Sequence, residues 1–244
     1  MRKATAMAGA VSLAAASAAC GRIHDDAHDG GPTVSRSFAV GNFTSVEAAG
    51  PFDVKIHTGA SPGVQVRGSE ELIDKLEVEV HGDKLVVRPE RKGWFGGWHS
   101  TNGKAEVAIT VPALNSATLA GSGGLAIDRV QGDSFDGKIA GSGKFQLDSV
   151  TVGRLRLVIA GSGDAVTRSG QAKTASYDIA GSGAIDAAGV QSQDVDISIA
   201  GAGGIKVNAT GTAKVKIVGS GDVDVTGGAK CEVSKAGSGN VHCS

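Results

Sequence analysis

Ile139-Ala140-Gly141-Ser142-Gly143-Lys144-Phe145-Gln146-Leu147 decides the fold, because the chain writes this pattern again and again at a fixed interval. The Gly-Ser-Gly cassette begins at Gly121, Gly141, Gly161, Gly181, Gly201, Gly219 and Gly237, in steps of 20, 20, 20, 20, 18 and 18 residues. Five of the seven copies read Ala-Gly-Ser-Gly in full; Ala202 replaces the serine in one, and Val218 replaces the leading alanine in another. A period of this length marks a stack of like units, each unable to bury its apolar face alone, and therefore a solenoid.

Aligned on the first glycine of the cassette, the repeats separate inward from outward side chains. Four positions on stand Leu125, Phe145, Ala165, Ile185, Ile205, Val223 and Val241, and six on stand Ile127, Leu147, Thr167, Ala187, Val207, Val225 and Cys243. Between these columns runs a mixed one, Ala126, Gln146, Val166, Asp186, Lys206, Asp224 and His242. Apolar columns flanking a mixed one have the period of a strand with one buried face. A second strand precedes each cassette, with Leu119, Ile139, Ile159, Ile179, Ile199, Ile217 and Lys235 two positions before the glycine. Each repeat is thus expected to supply two short strands and two bends, stacked in parallel at ~4.8 Å. Glycine suits the corner because it reaches positive φ without steric cost. No ladder of carboxylates follows the cassette, so calcium binding by the repeats is not expected.

The composition agrees. The chain is 41% hydrophobic but only 4% aromatic, with a formal net charge of -1, which suits a narrow core of small aliphatic side chains. Without a basic excess, nucleic acid is not an expected partner. Residues 1–20 read as a signal peptide: Arg2 and Lys3, an alanine-rich middle, then Ser17-Ala18-Ala19-Cys20. Small residues before Cys20 match a bacterial lipobox, with Ser17 where leucine is usual, so Cys20 is the expected lipidation site; ordinary signal cleavage and an uncleaved start are the alternatives. A lipid on Cys20 would make the membrane a partner and place the chain in the bacterial cell envelope, periplasmic or outer-membrane, or else the chain is secreted. Residues 21–33 form a polar tether, in which His24, Asp25, Asp26, His28 and Asp29 are a solvated cluster rather than a metal site. Cys231 and Cys243 then remain as an even pair, candidates for a disulfide in an oxidising compartment or for two buried thiols.

Residues 34–113 form an N-terminal β-strand part, and residues 114–244 the seven-repeat solenoid. Val54-Lys55-Ile56, Val64-Gln65-Val66, Leu76-Glu77-Val78-Glu79-Val80, Leu85-Val86-Val87 and Val107-Ala108-Ile109-Thr110-Val111 read as strands, with a hairpin turn at Gly82-Asp83. A short helix is expected from Ser69, as N-cap, to Lys75. Phe43-Thr-Ser-Val-Glu, Gly50-Pro-Phe-Asp-Val-Lys-Ile, Glu71-Leu-Ile-Asp-Lys-Leu-Glu-Val and Ile109-Thr-Val-Pro-Ala-Leu, followed by the Ala-Gly-Ser-Gly repeats, resemble the family of auto-transporter adhesin head domains, or GIN domains. The resemblance spans residues 38–244. It implies a right-handed parallel β-helix on a secreted or envelope-anchored bacterial protein and brings no catalytic residues.

Two functions of different kinds follow. The first is a non-enzymatic, adhesin-like module that meets a surface, a polysaccharide or an envelope protein, with self-association through the solenoid edges. For it, the loop Trp94-Phe95-Gly96-Gly97-Trp98 holds both tryptophans of an aromatic-poor chain, making Trp94, Phe95 and Trp98 the candidate contact residues. They would alternatively fold back and cap the solenoid. The second is a carbohydrate-active β-helix enzyme, a lyase or hydrolase. Glycoside cleavage needs a pair of carboxylates, and Asp186 and Asp224, two coils apart with Lys206 between them, are the best such group. An alternating charge ladder on a solvated sheet explains that trio equally well, so no catalytic, metal or cofactor site is expected.

Overall fold

From the cassette at Gly121 to that at Gly219 the chain runs between cassettes as a single bent strand. The structure, a computed structural model, describes residues 33–59, 61–90 and 105–244, so Cys20, Trp94, Phe95 and Trp98 lie outside the described residues. In chain order come β1 (Thr33–Phe38), β2 (Ser45–Ala49), β3 (Asp53–Thr58), β4 (Gly63–Ser69), α1 (Glu70–Asp74), β5 (Leu76–His81), β6 (Lys84–Pro89), β7 (Glu106–Val111) and β8 (Ser116–Gly121). The repeats form β9 (Gly124–Gly141), β10 (Lys144–Gly161), β11 (Asp164–Gly181), β12 (Ala184–Gly201) and β13 (Gly204–Gly219). β14 (Asp222–Thr226), β15 (Lys230–Gly237) and β16 (Val241–Cys243) complete the stack. The result is a parallel β-solenoid of about 6 turns.

Each full coil has three sides, one more than the sequence columns suggest. β10 pairs with β11 from Lys144↔Asp164 to Leu147↔Thr167, from Ser149↔Ser169 to Val152↔Ala172, and from Arg154↔Thr174 to Gly161↔Gly181. The ladder skips Asp148 and Gly153, which with the cassette make the three bends. The second side escapes a sequence reading because its inward residues, Val130, Val150 and Val190, then Val152, Ala172 and Ser192, include small and polar types. It is also where the period shortens. Between β12 and β13 the register shifts between Ala187 and Gln191 and again between Ser192 and Asp194, so the residues lost from the 20-residue repeat come from this side.

The inward columns are buried, from Leu125, Phe145 and Ile185 on the first side to Ile139, Ile159, Ile179, Ile199 and Ile217 on the third. Burying one such side chain contributes about 1.5–3 kcal/mol, and in-register stacking repeats that gain at every coil. Side-chain volume is balanced within a coil. Tyr177 is fully buried, and apart from Ile179 its own coil turns small residues inward, Ala165, Thr167, Ala172 and Ala175. Burial pushes the Tyr177 phenol well above its usual range, with the Ser192 hydroxyl beside it acting weakly the other way. Neither hydroxyl, nor that of Thr167, completes a hydrogen bond of good geometry.

Two constraints fix the cassette. Gly121, Gly141, Gly161, Gly181, Gly201, Gly219 and Gly237 all have φ between 121° and 135°, a region closed to most side chains. A Cβ added at Gly141 would lie 2.5 Å from the Gly121 carbonyl oxygen, and one at Gly143 would lie 2.6 Å from that of Gly123. The middle residue is exposed, and its backbone joins the coils: the N–H of Ser142 donates to the Gly121 carbonyl at 3.1 Å, as that of Ala202 does to Gly181 at 3.0 Å. Because the backbone makes the bond, alanine serves as well as serine at 202.

One further corner belongs to this stack and carries no cassette. β2 pairs with β8 from Ser45↔Ser116 to Ala49↔Ala120, and β3 pairs with β9 from Asp53↔Gly124 to Ile56↔Ile127. Gly50-Pro51-Phe52 therefore sits over Gly121-Ser122-Gly123, with Gly50 at φ 146°. The Gly50 N–H donates to Ala120 at 2.9 Å, and the Gly123 N–H donates back to Gly50 at 3.2 Å. On their other side β2 meets β6 and β3 meets β7, both in parallel. The segment from β2 to β3 is thus inserted between strands that follow it in sequence, and β1 to β7 are woven into the same sheet as the repeats.

The two ends differ. At the N-terminal end the parallel order stops: β4 runs antiparallel to β7, β1 to β4 and β5 to β6, the last around Gly82. α1 adds the buried side chains Leu72 and Ile73; Ser69 is its N-cap by backbone position, but its hydroxyl makes no cap hydrogen bond. At the other end Cys231 and Cys243 are joined by a disulfide, Cα–Cα 6.7 Å, across a sequence separation of 12. Cys231 continues the column of Ala213, and Cys243 that of Val225. They are half-buried and exposed rather than enclosed, since no further coil among the described residues covers them. Lys235 occupies the isoleucine column beside Ile217, and its ammonium donates to the Gly239 carbonyl at 2.7 Å.

Candidate functional site

Each side of the prism presents its own outward chemistry. On the first side, the register aligns Gln146, Val166, Asp186, Lys206, Asp224 and His242 in one outward row. Asp186, Lys206, Asp224 and His242 line a shallow, open concavity of about 470 Å³ with Asp222 and Asn240. The sequence trio is therefore brought together, the two carboxylates about 10 Å apart at the rung spacing. Among the described residues Lys206 makes no ion pair, and an Asp186 carboxylate oxygen accepts the Ala188 N–H at 3.2 Å. None of the described residues encloses the three groups or screens them from water. Farther along this side the charges pair locally: Arg168 bonds Asp148 at 3.1 Å and Gln146 at 3.2 Å.

The third side is also charged. Arg154 and Arg156 stand on one rung, Asp194 and Asp196 two rungs on, and Lys214 and Lys216 on the next. Arg156 bridges to Asp178 at 3.1 Å. Exposed pairs of this kind contribute at most about 1 kcal/mol each. The same holds on β3 and β7, where the hydrogen bond from Lys55 holds the Glu106 carboxyl below its usual range and raises Lys55 in turn.

The second side, which sequence reasoning missed, is different. Its outward row reads Gln131, Thr151, Gln171 and Gln191, one rung apart, and ends in register with Asn208, whose side-chain oxygen is buried. Thr151, Gln171, Gln191, Gln193, Thr210 and Lys173 line an open hollow of about 610 Å³. The signal was available, because Gln131, Thr151, Gln171 and Gln191 each stand ten residues after a cassette glycine. Their alignment acquires meaning only once the extra side is known.

At the junction of β3 and β9, Asp128 ties the parts together. Its carboxylate accepts the Thr58 N–H at 3.0 and 3.2 Å, the Thr58 hydroxyl at 3.0 Å and the Arg129 N–H at 2.5 Å, with His57 Nδ1 3.5 Å away. A carboxylate so occupied fixes the junction rather than serving as a free base. Among the described residues no cluster of His, Cys, Asp or Glu could hold a metal ion, and no helix is long and apolar enough to cross a membrane.

Comparison with known proteins agrees with this architecture. The solenoid is similar to the crystal structure of a "putative adhesin" from Bacteroides fragilis, with a TM-score of 0.80 and 23% identity over 87% of this chain and 97% of that one. It is also similar to a "putative lipid binding protein" from Parabacteroides distasonis, with a TM-score of 0.69 and 24% identity over 88% and 98% of the two chains. A "putative adhesin" from Parabacteroides merdae gives 0.69 and 19%, over 88% and 97%. At these identities the likeness shows the fold. No curated protein matches the chain. The family model described as "putative auto-transporter adhesin, head GIN domain" matches residues 42–229, most of the described solenoid with its Gly50 corner, and the chain belongs to that family.

Proposed function

We propose that the protein is a non-enzymatic, adhesin-like module of the bacterial envelope, held at a membrane by a lipid on Cys20 and meeting a polysaccharide or surface partner through its sheet faces. The observation that carries this reading is the exposure of the outward rows. Side chains on three sides are presented in register, while the carboxylates Asp186 and Asp224 stand on an open sheet where no described residue forms a wall to exclude water from a reaction. Membership of an adhesin-head family supports the same reading, and so does the lipobox-like sequence before Cys20. The enzyme reading keeps one observation in its favour, the concavity that gathers Asp186, Lys206 and Asp224.

The test is fractionation of cells making the wild-type chain or Cys20→Ala, with mass spectrometry of the N-terminus and a pull-down from envelope extracts. The wild type should carry a lipid adduct at Cys20 and enrich in membranes, Cys20→Ala should be released, and both should retain envelope polysaccharide or protein. An unmodified wild-type chain would refute the anchor, and extracts that leave both chains bare would refute the contact role.

A further inference from the structure

From the second side of the solenoid we infer a binding groove for an uncharged polysaccharide, an inference that rests on the envelope-contact reading and gives it a face and a ligand class. The first and third sides carry charge on most rungs, with Arg156 paired to Asp178 and Arg168 to Asp148. The row Gln131, Thr151, Gln171, Gln191 is uncharged and exposed, and its side chains make no hydrogen bond among the described residues. Each amide offers two N–H donors and a carbonyl acceptor, and the threonine hydroxyl offers both functions. That inventory complements a sugar hydroxyl, which also donates and accepts; a phosphate or carboxylate would use only the donors, leave the amide carbonyls unmatched and find no cation in the row.

The spacing fits a polymer. Successive rungs are ~4.8 Å apart, close to the length of one pyranose unit in an extended glycan, so a chain lying along the solenoid axis would meet one amide or hydroxyl for each sugar. The hollow gives that chain a bed: Thr151, Gln171, Gln191, Gln193 and Thr210 line it, with Lys173 the one charged lining residue. The groove also has an end, because the register shifts at Gln191 and Ser192 break the flat row where β13 loses residues from this side. Among the described residues no aromatic side chain lines the hollow, so affinity would come from hydrogen bonds that each replace one to water. At about 1 kcal/mol per bond the grip of one site is weak, as suits a module that gains avidity from many anchored copies on one polymer.

Affinity electrophoresis of the full chain through gels containing dextran, laminarin or yeast mannan, with alginate as the acidic counterpart, tests the groove. A neutral polymer should retard the wild type, and Gln171→Ala with Gln191→Ala should weaken retardation about 25-fold, at roughly fivefold per amide. Asp186→Ala with Lys206→Ala, on the first side, should migrate as the wild type, and matching melting curves would show that the variants are folded. Retardation unchanged by the glutamine variants would overturn the groove while leaving the contact reading intact. Retardation by alginate but by no neutral polymer would overturn the ligand class. A wild type retarded by none of the polymers, yet retained by envelope extracts, would overturn the glycan inference alone.

Discussion

The two ends of the solenoid meet the same physical problem in different ways. A stack of parallel coils exposes an apolar cross-section and a row of unpaired backbone groups at each end. At the N-terminal end the polypeptide changes its habits: β1, β4 and β5 run antiparallel, and α1 packs Leu72 and Ile73 into the core. At the C-terminal end the coil path is kept and only the residues change. Lys235 stands in the isoleucine column, and a disulfide links Cys231 to Cys243, while Val233 remains 50% exposed. One end is covered by added structure and the other is guarded by chemistry, so damage to them should differ in reach as well as in size.

The largest effect belongs to the covered end. Ile73→Ala removes a buried side chain from the core cluster and should cost about 2–5 kcal/mol, lowering the melting temperature in a single cooperative transition, as circular dichroism would record. Removal of the disulfide by Cys231→Ser with Cys243→Ser should cost up to about 3 kcal/mol. In this case the loss should be local, with faster amide exchange across β14, β15 and β16 and unchanged protection in β10 and β11. Exchange that rises uniformly would erase the distinction between the ends.

Lys235→Ile should change stability little but restore an apolar column at an open edge, so sedimentation velocity should show concentration-dependent self-association at lower concentration than in the wild type. A monomeric variant would mean that the charge at 235 does not guard the edge. The smallest effect is expected away from both ends: Lys206→Ala on the first side should shift stability by less than about 0.5 kcal/mol.

The repeats were legible in the sequence because steric demand at the corner is absolute: Gly141 and Gly161 admit no Cβ, so the glycines stay in register and the columns can be aligned on them. The corner at Gly50 was not legible as one. It keeps the positive-φ glycine, but Pro51 and Phe52 replace the rest of the cassette, and its neighbour in space begins at Gly121. The second side was hidden for another reason. Its inward positions alternate Val with Ala and Ser around the volume of Tyr177, which blurs the apolar period, and its loss of residues in β13 breaks the spacing. Of the candidate residues, the register does gather Asp186, Lys206 and Asp224. The glutamine row emerged only from the third bend of each coil.

The measurement that bears most directly on the account is the size of a polysaccharide after contact with the protein. Each polymer that retards the chain should be incubated with it and passed over a size-exclusion column with light scattering. A binding module that does not cut predicts polymer of unchanged length with the protein co-eluting. Progressive shortening of the polymer, abolished by Asp186→Asn, would contradict that claim and make the trio on the first side an active site.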